Sequence, residues 1–277
     1  MKNLFLIICC LFCLSVTAQN KGNLRIASYN LRLGTANDGE NAWANRKEMV
    51  KSLIAYHDFD IIGTQEGYEF QLKDICEPGD YAYTGHGRDD GKNAGEHSAI
   101  VYKKERFKIL GSGDFWLSET PDIPGKGWDA KCCNRICSWA KFKDSKTGKE
   151  FYFFNVHFDH EGVIARIESG KLMAQKIKEI AGKSPVICTG DFNSTPETVQ
   201  VKTMQTILND SYLISSMKPY GPAGTFNGFK LTAKMQDRID YIFTDNRMKV
   251  LKYGVLTDMN YGRFPSDHFP VVVDISW

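Results

Sequence analysis

The chain has 277 residues, with 35 Lys and Arg against 33 Asp and Glu and a formal net charge of +2. Loss of a leader containing Lys2 would bring this to about +1, too small an excess to argue for a dedicated nucleic-acid binder from electrostatics. Beyond the leader the length suits one large α/β domain. No later stretch is long and apolar enough to span a membrane, and no repeat or low-complexity linker interrupts it.

In chain order, Lys2 precedes an apolar run over residues 4–14, then Val16-Thr17-Ala18 and Gln19. This predicts a secretory signal peptide over 1–18, cleaved near Ala18/Gln19, and a secreted or periplasmic domain over 19–277. Cys9, Cys10 and Cys13 lack the preceding small residue that a lipid-anchored Cys needs. Five cysteines remain, so at least one thiol of a monomer is free. Cys132, Cys133 and Cys137 lack zinc-like spacing to a His, and Cys188 reads as a small buried hydrophobe.

Strands are predicted over 24–30, 60–66, 98–102, 107–117, 138–142, 151–157, 185–189, 238–243, 250–256 and 269–275. Helices are predicted over 45–57, 68–75 and 162–181, and from Thr195 as N-cap with Pro196 at the first position. Residues 120–134, rich in Pro, Gly and Trp, read as an exposed loop, and Lys146-Thr147-Gly148 as a hairpin turn. Many strands with interspersed helices predict helices packed outside a β core.

Asn30, Glu66, Asn155, His157, Asp191, Asn193, Asp240, Asp267 and His268 all fall at or just beyond a predicted strand end, where distant segments can meet on one rim. Phosphoester cleavage needs that mixture. Glu66, with Asn30 nearby, suits a hard divalent cation. Asp191 and Asn193, two apart on an extended chain, suit positioning of a water. His157, His268 and Asn155 can donate to phosphoryl oxygens, with Asp240, Asp267 or Glu96 orienting a His and keeping it protonated. Singly, each has an ordinary reading as a turn former, a solvated strand end or a satisfied His; the joint pattern favours the site. Arg166 reads equally as a phosphate grip or a structural ion pair, and Arg135 as a weaker phosphate candidate beside the loop. His86, His97 and His160 read as structural or solvated, and Trp128 as a residue that flanks substrate.

Ser28-Tyr29-Asn30, Thr64-Gln65-Glu66, Asn155-Val156-His157, Gly190-Asp191-Phe192-Asn193, Arg238-Ile239-Asp240-Tyr241-Ile242 and Ser266-Asp267-His268-Phe269-Pro270-Val271 occur in that order. Order and spacing resemble the endonuclease/exonuclease/phosphatase superfamily of pancreatic deoxyribonuclease, abasic-site endonucleases, inositol-polyphosphate 5-phosphatases, bacterial sphingomyelinases and nocturnin-like deadenylases. The resemblance implies an α/β (α+β) four-layer sandwich, two central mostly antiparallel sheets flanked by helices, hydrolysing phosphoesters with Mg²⁺ or Mn²⁺. By position, Glu66 resembles the principal metal ligand, with Asn30 close by and Asp267 as a second metal-side carboxylate or the orienter of its neighbour. Asp191 resembles the water-orienting residue with Asn193 its partner. His157 and His268 resemble the phosphate-facing pair, Asp240 the partner of His268, and, on a looser match, Glu96 the support of His157. The expected partner is a phosphoester: a nucleic acid, a phosphorylated small molecule or a lipid headgroup, met by a monomer. The alternative is a non-catalytic extracellular binding module that reuses the fold.

Overall fold

In the computed structural model, which describes residues 22–276, β1 (Leu24–Asn30) is covered on both faces. Leu24 and Ile26 enter one apolar cluster, Ala27 and Tyr29 another. A strand covered on both sides needs no polar face, so its sequence alternates only in part. The leader expected over 1–18 lies outside the described residues.

After β1 come α1 (Trp43–His57), β2 (Ile61–Gln65), α2 (Glu69–Cys76), β3 (Tyr81–Thr84), β4 (Ile100–Lys103), β5 (Phe107–Trp116), β6 (Ile136–Asp144) and β7 (Glu150–His157). Then follow α3 (Val163–Ala181), β8 (Val186–Asp191), α4 (Val199–Gln205), β9 (Asn209–Asp210), α5 (Ser211–Ile214), β10 (Asp240–Thr244), β11 (Lys249–Val255) and β12 (Val271–Ser276). One sheet has the order β11-β12-β1-β2-β4-β3, the other β5-β6-β7-β8-β10-β9. Each contains one parallel pair, β1 with β2 and β7 with β8, made by the crossover helices α1 and α3. The remaining pairs are antiparallel. The expected four-layer architecture with mostly antiparallel sheets is the observed one.

Ile26, Ile61, Phe142, Phe153, Ile187, Ile242 and Val273 fill the space between the sheets. Val50, Leu53, Ile54, Leu72 and Ile75 of α1 and α2 cover the first sheet outside. Met173, Ile177, Val201 and Met204 of α3 and α4 cover the second. Toward one rim the contact between sheets turns polar. Asn155 Nδ2 donates to the carbonyls of Thr64 (2.7 Å) and Ala99 (2.9 Å), while its Oδ1 accepts from Gln65 Nε2 (2.7 Å) and Thr189 Oγ1 (2.9 Å). Gly63 lets the sheets approach here. A Cβ at that position would lie 2.5 Å from Asn155 Oδ1 and closer still to Thr189 Oγ1.

Three local expectations change. β3 was not foreseen; it is a four-residue edge strand, half-buried throughout, so it carries no apolar periodicity. Thr195 does not cap a helix. Its carbonyl accepts from Thr198 N (3.1 Å) and Thr198 Oγ1 (2.8 Å), closing a turn, and α4 starts at Val199. The 120–134 loop is irregular as expected but tied down. Trp128 N donates to Glu119 (3.0 Å), and Asp129 accepts from Ile164 N and Ala165 N, capping α3 from outside the helix. Within this loop Cys132 and Cys133 are bonded to each other, and Cys76, Cys137 and Cys188 are free thiols.

Candidate active site

Topology brings the candidate residues together. Parallel β1 and β2 end at one rim, with Asn30 opposite Gln65, the residue before Glu66. Parallel β7 and β8 end at the same rim, with His157 opposite Asp191. β10 starts there, placing Asp240 opposite Asp191, and His268 lies just before β12.

Asp191 is the hub. Its Oδ2 accepts from Asn30 Nδ2 (3.0 Å) and lies 3.5 Å from His157 Nε2 and 3.8 Å from His268 Nε2. Its Oδ1 accepts from Asn193 N at 2.9 Å. Asn193 has φ +46°, so Asp191 and Asn193 meet through a side-chain-capped turn and not, as expected, along an extended chain. Burial, and then the charge of Asp240, push the Asp191 carboxyl up to about 7.

Asn30 Nδ2 also donates to Glu66 Oε1 (2.9 Å), bridging the two carboxylates, while Asn30 Oδ1 accepts from Arg32 N. Glu66, half-buried at φ +62°, offers its second oxygen to Leu33 N (2.9 Å). Asp267 is buried, its carboxyl raised by burial, with Arg32 Nε at 3.8 Å. The buried guanidinium of Arg46 donates to the carbonyls of Leu31, Arg32, Asn41 and Pro265, and so joins the loop after Asn30 to the loop before Asp267.

The two histidines differ. His268 Nδ1 lies 2.9 Å from Asp240 Oδ2. Burial alone would lower its pKa, but Asp240, Asp191 and Asp267 overcome that and hold it well above the usual value. His157 is pushed well below by burial and then by Arg135 and Arg88. The expectation that Glu96 keeps His157 charged is therefore corrected. Glu96 is 4.0 Å away, and its carboxylate is engaged by Arg88 Nη1 at 2.6 Å. Asn193 Nδ2 donates to the Phe158 carbonyl (3.0 Å) and toward His157 Nε2 (3.2 Å), which leaves Nε2 the acceptor.

Three weaker candidates lie outside this group. Asn155 spends its amide N–H groups on Thr64 and Ala99, so it has no donor left for a phosphate. Arg166 donates to the Asp159 carbonyl (3.1 Å) and has no carboxylate partner among the described residues, against the ion-pair alternative. Arg135, buried, reaches Asp159 (3.4 Å) and His160 Nδ1 (2.7 Å). The sequence reading missed Gln65, Arg46, Arg88 and Phe226, whose ring stands edge-on to His268 at 5.0 Å. The Gln65–Asn155 pair joins residues 90 apart in sequence, and the Arg88–Glu96 pair closes an irregular loop with no periodic pattern to announce it.

Glu66, His157 and Asp191 place ligand atoms within 4.8 Å of one another, as do Asp191, Asp240 and His268. Crowded buried carboxylates with a raised Asp191 fit a hard divalent cation, which would neutralise them. Asp267 joins neither group.

Residues 27–268 match the Endonuclease/Exonuclease/phosphatase family. An endonuclease/exonuclease/phosphatase family protein from Bacteroides thetaiotaomicron is 47% identical, with 91% of this chain and 94% of that one covered and a TM-score of 0.88. The mannosyl-6-phosphatase of Bacteroides thetaiotaomicron VPI-5482 is 46% identical, with 92% and 100% covered and a TM-score of 0.87. Nocturnin of Drosophila melanogaster is 24% identical over 91% of this chain, which spans 46% of that protein. The match runs from the first strand to the rim histidine, and near-half identity to two solved structures goes well beyond shared architecture, so this chain belongs to the endonuclease/exonuclease/phosphatase family.

Proposed function

We propose that the protein is an exported, divalent-metal-dependent phosphomonoesterase acting on a sugar phosphate of the hexose 6-phosphate type. The observation that carries the reaction class is the position of Asp191, in contact with Asn30 and flanked by the ring nitrogens of His157 and His268. The substrate class is supported by 46% identity to the mannosyl-6-phosphatase and by a nearly balanced charge, which suits a small anion better than a polyanion. Among the described residues no helix is long and apolar enough to cross a membrane.

Glu66 would hold Mg²⁺ or Mn²⁺ with several waters, Asn30 and Asp267 flanking it, and the ion would neutralise the phosphoryl group. Asp191 accepts the proton of the attacking water, which the 191–193 turn holds in line; as the new P–O bond forms the P–O bond to the sugar breaks, and the departing sugar oxygen takes a proton from solvent water. Asp240 keeps His268 protonated, so its Nε2–H donates to the phosphoryl oxygen as charge builds there. His157, neutral and accepting at Nε2, fixes the Asn193 amide beside that water.

The test is a panel of mannose 6-phosphate, glucose 6-phosphate, p-nitrophenyl phosphate, bis-p-nitrophenyl phosphate and DNA, each with Mg²⁺, Mn²⁺ or EDTA. Monoester turnover should disappear in EDTA, and Asp191→Asn should lower kcat by about 10³-fold. Turnover that survives either change sinks the mechanism. Hydrolysis confined to DNA and the diester replaces the substrate class, and no turnover with no bound metal leaves the binding-module reading.

A further inference from the structure

The connection from α5 to β10, residues 215–239, contains no regular element, yet it reaches the Asp240–His268 pair at its centre. Thr225 is fully buried there. Its Oγ1 donates to Asp240 Oδ2 at 2.5 Å, the same oxygen that meets His268 Nδ1 at 2.9 Å. A hydroxyl has one proton and two acceptor positions. Ile239 N (3.1 Å) and Asp240 N (3.2 Å) both donate to Thr225 Oγ1, so its proton is left to point at the carboxylate. Chained hydrogen bonds of this kind polarise one another and strengthen the last donor.

The backbone makes the same connection. Thr225 N donates to Asp237 O (3.0 Å), and Thr225 O accepts from Phe269 N (2.7 Å), next to His268. Asp240 Oδ1 has no hydrogen-bond partner among the described residues, so the orientation of the carboxylate depends on what grips Oδ2. We propose that Thr225 is a positioning residue for the reaction: its hydroxyl fixes the Asp240 oxygen that orients His268. This rests on the reading of His268 as the donor to the phosphoryl group. Thr225 itself is fully buried and acts through Asp240.

Thr225→Val keeps the shape and removes the hydroxyl, and Thr225→Ser keeps the hydroxyl. With Mg²⁺ and the substrate identified by the panel, Thr225→Val should lower kcat about 10- to 100-fold with KM within about twofold, and Thr225→Ser should stay within about threefold of the parent. The low-field NMR resonance of the His268 Nδ1 proton should shift or broaden in Thr225→Val and persist in Thr225→Ser. A Thr225→Val enzyme with the parent kcat, or a Thr225→Ser enzyme as impaired as Thr225→Val, overturns the proposal. If Thr225→Val does not fold, Thr225→Ala replaces it and is judged against Thr225→Ser in the same way. If the parent protein hydrolyses nothing, the proposed function fails on its own. The NMR comparison then decides the role of Thr225, and an unchanged resonance overturns it.

Discussion

His157 and His268 are both buried and both within 4 Å of the Asp191 carboxylate, yet their proton affinities move in opposite directions. Burial penalises the charged form of each. The difference comes from the next layer of side chains: Asp240, Asp191 and Asp267 around His268, Arg135 and Arg88 around His157. Two residues that look alike in sequence, each at or near a strand end, thereby differ in proton affinity. In the proposed mechanism His268 is the donor to the phosphoryl group and His157 the acceptor for Asn193.

The largest effect should come from removing the charge that separates them. Asp240→Asn should lower kcat by about 10³-fold or more, read by steady-state kinetics, with the His268 pKa falling toward 6.5 by NMR. Gly63→Ala should leave the contrast intact while weakening both halves. The new methyl collides with Asn155 and Thr189, and denaturant unfolding should show a loss of about 1–3 kcal/mol. Arg135→Gln sharpens the comparison from the other side. The His157 pKa should rise in an NMR titration, with kcat changing less than about tenfold.

The smallest but most direct signal is the pH dependence of stability in metal-free protein. The folded pKa of His268 is raised, so its contribution is complete below about 6.5 and is lost as pH rises through the higher folded value. The folded pKa of His157 is depressed, so its contribution is present above about 6.5 and is lost as pH falls through the lower value. Asp191, raised to about 7, adds a loss of stability as pH climbs toward neutrality in both variants and the parent. Unfolding curves of His268→Gln and His157→Gln against pH should therefore each remove a different limb of the parent profile. Identical profiles would remove the basis for the contrast.

The architecture and the rim residues were legible because they ride on strands. Asp191 and Asp240 each sit at the end of a buried apolar run, so position along the pattern predicts position in space. The opposite shifts of the histidines were not legible, because the charges of Arg88 and Arg135 act on His157 from separate segments of the chain. Asn155 misled for a related reason: a strand-end Asn looks like a donor to substrate until its partners across the sheets are known. Thr225 gave no signal at all. Its segment has no periodicity, and fifteen residues separate it from the aspartate it grips.

Glu66 and Asn193 hold the site with left-handed backbones, at φ +62° and +46°. Asn tolerates that conformation; Glu does so at a cost on the order of 1–3 kcal/mol, which Gly would not bear. Glu66→Gly thus gives up the carboxylate and relaxes the chain in one step. A library selected only for heat resistance, with no demand for turnover, would be drawn to discard this residue early. Loss of Glu66 in such an experiment would report that function, and not folding, holds the residue in place, and its retention would report that its bonds to Asn30 and Leu33 N serve the fold as well.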